Sequence, residues 1–300
     1  MSDFIPVGTV VGDWLSATAT PNGDVYFGAN SGNIYKKAAG SGVFTAVGTT
    51  TGAWRAATTA PNGDVYFASY YSDNIYRQAF GATGFTAVGT LSGDWGCGCC
   101  APNGDVYFGD GYGGNIYKKG TGDSVFTAVG TLVGAWRSAA AAPNGDVYFG
   151  ANGGNIYRQA FGATGFTAVG ALSGDWHVAA AAPNGDVYFG NHGGNIYRQA
   201  FGATGFTAVG SATANWQSAA AAPNGDVYFG GEYSGNNIYR QASGATEFSV
   251  VGVVTGSWTS ATVAPNGDVY FGANSGGNIY EQAAESVGSS VAFFMALLAQ

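Results

Sequence analysis

The chain's two histidines, His177 and His192, fall in one stretch, and a carboxylate, Asp175, stands two residues before the first of them. An acid beside an imidazole is the beginning of a general acid–base pair, which still needs a nucleophile within hydrogen-bond reach. Asp175 has another explanation. Asp13 and Asp94 hold the same place before a tryptophan with no histidine beside them, so this acid belongs to a turn. No Gly-x-Ser-x-Gly, paired-carboxylate or phosphate-loop pattern stands apart from the repeat that runs along the chain. The expectation is a protein that is not an enzyme and takes no cofactor.

Three further residue sets invite chemistry. Cys97, Cys99 and Cys100 cluster as metal ligands do, but zinc needs a fourth ligand, and successive strand side chains point to opposite faces. They align with Ser138, Ala140 and Ala141 one repeat later, which reads as small core residues and no metal. Seven Asp residues, Asp24 to Asp268, each follow an Asn-Gly pair. A calcium loop needs six to eight clustered oxygens, and each turn offers one carboxylate, so the turn reading is preferred. The seven tryptophans could stack flat ligands such as sugar rings. One large aromatic per repeat more simply wedges neighbouring units together.

The elements that must position these residues follow from the period. Pro-Asn-Gly-Asp-Val-Tyr-Phe occurs seven times, from Pro21 to Pro265, and one tryptophan falls in each interval, 40 to 42 residues apart. A period near 40 built of short apolar runs and Gly-rich turns predicts propeller blades, since helices would not survive that much Gly and β-branched sequence. In the fourth copy, strands are expected over Arg137–Ala142, Asp146–Gly150, Asn155–Gln159 and Phe166–Gly170, with Asn144-Gly145 as a two-residue hairpin turn. Val147-Tyr148-Phe149 is apolar without alternation, as in a sheet packed on both faces. The Ala-rich run after each tryptophan suits the crowded innermost strand. The expected fold is all-β: a seven-bladed β-propeller of four-stranded antiparallel blades. Phe4-Ile5-Pro6-Val7-Gly8 matches the Phe-Thr-Ala-Val-Gly outer strand that the last copy lacks, so the amino-terminal strand is expected to complete the last blade. Residues 1–283 form the propeller and 284–300 an apolar carboxy-terminal tail.

The seven copies differ mainly on one predicted face, which carries the linker before each tryptophan and the loop between second and third strands. The residue after the tryptophan changes in nearly every copy. Candidate ligand-binding residues there are Arg55, Tyr70, Tyr71, Tyr112, Arg137, His177, His192, Gln217 and Tyr233. Varied polar and aromatic side chains on an unvarying frame suit recognition; drift in exposed loops is the competing reading.

Only 9% of residues are charged, with a formal net charge of −8. Nucleic acid is therefore a poor partner, and no basic run points to anionic lipid. Residues 1–11 lack a basic and apolar secretory signal, and the cysteines imply no disulfide framework, so synthesis in a reducing cytoplasm is expected. The tail contains Phe293, Phe294, Met295, Leu297 and Leu298 in a nine-residue apolar run, too short to span a bilayer. Packing on the disc and docking into a partner subunit both remain open for it.

Asn-Gly-Asp-Val-Tyr-Phe-Gly, Gly-Asn-Ile-Tyr-Arg-Gln and Phe-Thr-Ala-Val-Gly-x-x-x-Gly-x-Trp together cover most of the chain. The array resembles propeller repeats of bacteriophage virion and tail-fibre-type proteins and, more loosely, lectins of the tachylectin kind. It departs from Trp-Asp repeats and from kelch repeats in the order and period of its motifs. The resemblance implies a virion or extracellular protein that binds a host-surface glycan or other receptor. The alternative is a structural decoration protein, attached to another virion subunit through its tail.

Overall fold

The computed structural model describes residues 3–71, 73–233 and 235–284. Every regular element in this part of the chain is a β-strand. In the fourth repeat the strands are Trp136–Ala141, Val147–Ala151, Gly154–Gln159 and Thr167–Gly174, each paired antiparallel with the next. The first hairpin turns on Asn144-Gly145, where Gly145 takes φ +90° and donates its N–H to the Ala142 carbonyl at 2.9 Å. A side chain at that φ is strained, which is why the turn uses glycine.

Burial follows the strand's place in the sheet. Val147–Ala151 is buried at all five positions, because this strand is covered on both faces. Trp136–Ala141 alternates: Trp136, Ser138 and Ala140 pack between sheets, while Arg137, Ala139 and Ala141 are half-buried. Those half-buried positions line a central channel, the place the small-residue strand was expected to take.

Two devices repeat around the ring. Each tryptophan is fully buried, and Trp136 meets Phe149 and Tyr157 edge-on at 6.0 and 5.5 Å while its Nε1–H donates to the Gly114 carbonyl. The indoles are wedges between sheets and are closed to any ligand. Ser138 Oγ donates to the Trp176 carbonyl at 2.8 Å, tying one repeat to the next. The Asn-Gly-Asp carboxylates are equally structural. Asp64 accepts from its own turn's Asn62 amide, the Phe80 N–H in the turn between third and fourth strands and the Arg77 guanidinium. Burial opposes ionisation there, but those three donors hold the Asp64 carboxyl below the usual range.

The ring closes through the amino terminus. Ile5–Gly12 pairs antiparallel with Gly277–Gln282, and Trp14 Nε1–H donates to the Gly277 carbonyl at 2.9 Å.

The blade count needs correction. The strands form six hydrogen-bonded sheets, five of four strands and one of six, not seven separate four-stranded blades. The fifth and sixth sequence repeats share the large sheet, because Thr207–Ala221 runs unbroken from an outer strand into the next inner strand. At the other junctions one residue, such as Ala53 or Ala135, lies outside strand structure. Here Asn215 pairs with His192 and Ala214 with Gly194, so the ladder continues across the junction. Ala214 also replaces the glycine that stands two residues before the other six tryptophans, and alanine is less prone to break an extended run.

Cys97 and Cys99 are buried and Cys100 faces the channel. Burial pushes the Cys97 and Cys99 thiols well up and Cys100 up to about 12, so all three are protonated. Among the described residues no group of three or more His, Cys, Asp or Glu side chains gathers as a metal site would require. No helix among the described residues is long and apolar enough to cross a membrane. Phe293, Phe294, Met295, Leu297 and Leu298 lie outside the described residues.

Candidate functional site

The channel has a waist of Ala at every repeat but one, where Gly98 stands, and the waist separates two unlike openings. One opening is rimmed by the seven Pro residues of the Pro-Asn-Gly-Asp turns and by small side chains such as Ala141 and Cys100. The other, here called the mouth, is a cavity of about 350 Å³. A cavity of that volume suits a small molecule.

The mouth is built from one position in every repeat and a second in four of them, where Asn30, Tyr70, Glu232 and Asn274 line it. One is the residue after the tryptophan, which the strand's alternation turns toward the channel. The other is the first residue of the loop between second and third strands. That loop is anchored alike in every repeat, its N–H donating to the linker before the tryptophan: Tyr70 to Ala53, His192 to Asp175 and Glu232 to Asn215, at 2.9, 2.8 and 2.7 Å. A shared backbone anchor leaves the side chain free to differ.

Six of the nine expected residues line the cavity: Arg55, Tyr70, Tyr71, Arg137, His177 and Gln217. Two more touch that lining from outside. Tyr112 lies 5.4 Å from Tyr70, and His192 stacks 4.5 Å from His177. Tyr233 does not join them; it is exposed on its loop, where its N–H donates to Ser257 Oγ. Glu232 lines the cavity and was not among the expected residues. The signal for it was its place: it occupies the loop position held by Tyr70 and His192 in other repeats.

The lining has two charged halves. On one side Tyr70 carries both arginines, with the Arg55 guanidinium 4.9 Å and the Arg137 guanidinium 6.0 Å from its ring centre. Arg137 also lies 5.7 Å from the Tyr112 ring. Gly96 stands between the two arginines in repeat order. Its Cβ would collide with the Trp136 carbonyl, so the gap holds no side chain. Burial and the neighbouring Arg137 charge both pull the Arg55 pKa down. The hydrogen bond to Tyr70 holds the Tyr112 phenol above its ordinary value.

On the other side, Gln217 Nε2 donates to His177 Nδ1 at 2.8 Å and to Glu232 Oε2 at 3.0 Å. An acceptor Nδ1 means a neutral imidazole with its proton on Nε2. Burial, then His192, Arg137 and Arg55, push His177 down to about 4. His192 Nε2 is 3.8 Å from Glu232 Oε2.

Backbone strain concentrates in the same loops. Tyr71 and Tyr233 take φ +73° and +79°, where the fourth and fifth repeats place Gly153 and Gly193. A bulky residue in that region is uncommon and costs of order 1–3 kcal/mol, and such residues cluster at functional sites.

No protein-family model matches the sequence, and no curated protein matches it. Solved structures do. A structure of YCF48 bound to D1 peptide aligns with a TM-score of 0.72 at 13% identity, covering 94% of this chain and 97% of that one. A streptogramin B lyase aligns at 0.75 and 16%, covering 93% and 96%, and the hydrazine synthase of Kuenenia stuttgartiensis at 0.74 and 14%, covering 93% and 97%. These neighbours correct the resemblance to phage fibre repeats. The motifs that carried it, the Asn-Gly-Asp turn and the buried tryptophan, are parts of the scaffold and report sheet geometry. At these identities the likeness shows the fold: an all-β propeller of four-stranded antiparallel sheets.

Proposed function

We propose that this chain is a non-catalytic recognition module that holds a small polar ligand, of the size of a sugar or short peptide end, in the mouth of its channel. The observation that carries the reading is the contrast within one repeat. Wedge, turn and waist residues barely change around the ring, whereas the residues after the tryptophan at the mouth are Leu15, Arg55, Gly96, Arg137, His177, Gln217 and Thr259. A surface selected only for ring stability has no need of that variety at one end. Tyr71 and Tyr112 stand exposed beside the cavity and suit stacking on a ring face.

Binding fits the chemistry better than turnover. His177 is a weak base at about 4, its Nδ1 is already taken by Gln217, and the Glu232 oxygen accepts from the same amide. A general base works best when it is poised near the operating pH and in reach of the substrate proton. A broad glycan array probed with the purified protein, beside Tyr70→Ala, tests the reading. Saturable binding that the variant loses supports it, and no ligand on the array or in a peptide panel sinks it.

A further inference from the structure

Charge pairing differs sharply between the mouth and the rest of the molecule. The chain has ten Lys and Arg residues against eighteen Asp and Glu. Seven of the ten cations sit beside a carboxylate. Arg55, Arg137 and Lys119 make no ion pair among the described residues, and of these Arg55 and Arg137 lie together in one small cavity and repel each other. The nearest acid on the lining, Glu232, is engaged by Gln217 and faces His192. Arg137 Nε is buried and has no hydrogen-bond acceptor. A buried donor without an acceptor costs about 1–3 kcal/mol, and two like charges over one tyrosine ring add to that. The cation–π contacts with Tyr70 and Tyr112 return part of this cost, but they leave the Arg137 Nε–H without an acceptor and the two charges unpaired, which an incoming oxyanion would remedy.

We infer that the ligand of the mouth carries an anionic oxygen group, carboxylate or phosphate, gripped between the Arg55 and Arg137 guanidiniums, with its ring or apolar body against Tyr71 and Tyr112. This rests on the recognition reading above and adds the ligand's chemical class to it. Guanidinium forks match such groups with paired N–H donors. The Tyr70 ring behind the two arginines holds them near each other, and Gly96 leaves the space between them clear of side chain. The overall charge of −8 disfavours a polyanion, and a cavity of about 350 Å³ fits one charged group on a monosaccharide-sized body. The neutral His177 and Gln217 on the far wall supply hydrogen bonds without adding net charge.

Calorimetric titration of the full chain at low salt with glucuronate, glucose 6-phosphate and glucose tests this. Either acidic sugar is expected to bind at least tenfold more tightly than glucose, and which of the two is tighter identifies the oxyanion. Arg55→Gln/Arg137→Gln is expected to lose at least tenfold of that affinity while keeping its strand circular dichroism. Raising the salt is expected to weaken the wild type more than the double variant. Glucose binding as tightly as the acids, or affinity unchanged in the double variant, would overturn the inference yet leave the recognition reading standing. Failure of all three probes at millimolar concentration also overturns it; the array then decides separately whether the module binds anything neutral.

Discussion

The two ends of one channel are made from the same seven repeats, yet they are organised by opposite rules. On the turn face, carboxylate and cation meet within six of the seven repeats, as Asp226 with Arg240, Asp64 with Arg77 and Asp105 with Lys118. Arg240 is only 13% exposed at its side chain, and Asp226 only 4%, so this pair works as a clamp on two turns. The seventh repeat alone substitutes Glu281, which accepts from the Tyr270 hydroxyl at 2.7 Å and lies 3.9 Å from Lys37. At the mouth, Arg55 and Arg137 are collected over one tyrosine, and among the described residues neither makes an ion pair, the lining's Glu232 being held by Gln217. A scaffold satisfies its charges internally; a site leaves some for its ligand.

The largest effect that would test this contrast is at the clamp. Asp226→Ala removes the acceptor for Asn224, Arg240 and the Ser243 N–H together, and strands a mostly buried guanidinium. A loss of about 3 kcal/mol is expected in urea unfolding, as for breaking one partner of a buried pair. A cost below about 1 kcal/mol would remove the structural status of the turn face.

Next comes acid. His177 is pushed from an ordinary 6.5 to about 4, so the unfolded chain takes up its proton first as pH falls. Stability from this group is complete above about pH 6.5 and is lost progressively down to about pH 4. The carboxyls of Asp24, Asp64 and Asp105 are held low despite burial, by their Lys or Arg partner and turn donors. Their contribution is present above the usual carboxylate range and fades below it. Melting temperature against pH should therefore fall in two steps, and His177→Gln should abolish the upper one alone. A single step, or an upper step that survives the variant, contradicts the assignment.

A smaller change is expected at the fused sheet. Ala214→Gly restores the residue of the other junctions and should cost about 0.5–1 kcal/mol. Amide exchange at Asn215 should speed up with it, if His192–Asn215 pairing is what joins the two repeats.

The smallest expected stability change is the most discriminating. Arg55→Gln and Arg137→Gln should alter the melting temperature by no more than the equivalent of about 0.5 kcal/mol, because each relieves repulsion, and Arg137→Gln an unpaired Nε–H, while giving up cation–π contacts of similar worth. If either variant destabilises as strongly as Asp226→Ala, the mouth obeys the same rule as the turn face and the comparison collapses.

Much of the scaffold was legible because its signals are local. Asn144-Gly145 selects its hairpin turn from two residues, and Val147-Tyr148-Phe149 announces a strand covered on both faces. The match of Phe4–Gly8 to an outer strand located the closing strand, and variation between repeats put Arg55, Arg137, His177 and Gln217 on one face of the disc, though only the fold turned them into the channel. Glu232 was passed over because its chemistry depends on Gln217, one strand away across a hairpin loop. The number of sheets was misjudged for a related reason. A period counts repeats, but a sheet ends where hydrogen bonds stop, and at one junction they do not.

From sequence alone, then, came the all-β ring, its wedges and turns, the small-residue strand at the axis and the end of the disc that varies. These follow from backbone propensity, side-chain volume and periodicity, which act over a few residues. Tertiary structure decided which variable residues meet, that repeats five and six share one sheet, and that Arg55 and Arg137 come over one tyrosine with no carboxylate between them. Those outcomes depend on ring curvature and on pairings between segments far apart in the chain, and electrostatic energy is set by separation in space.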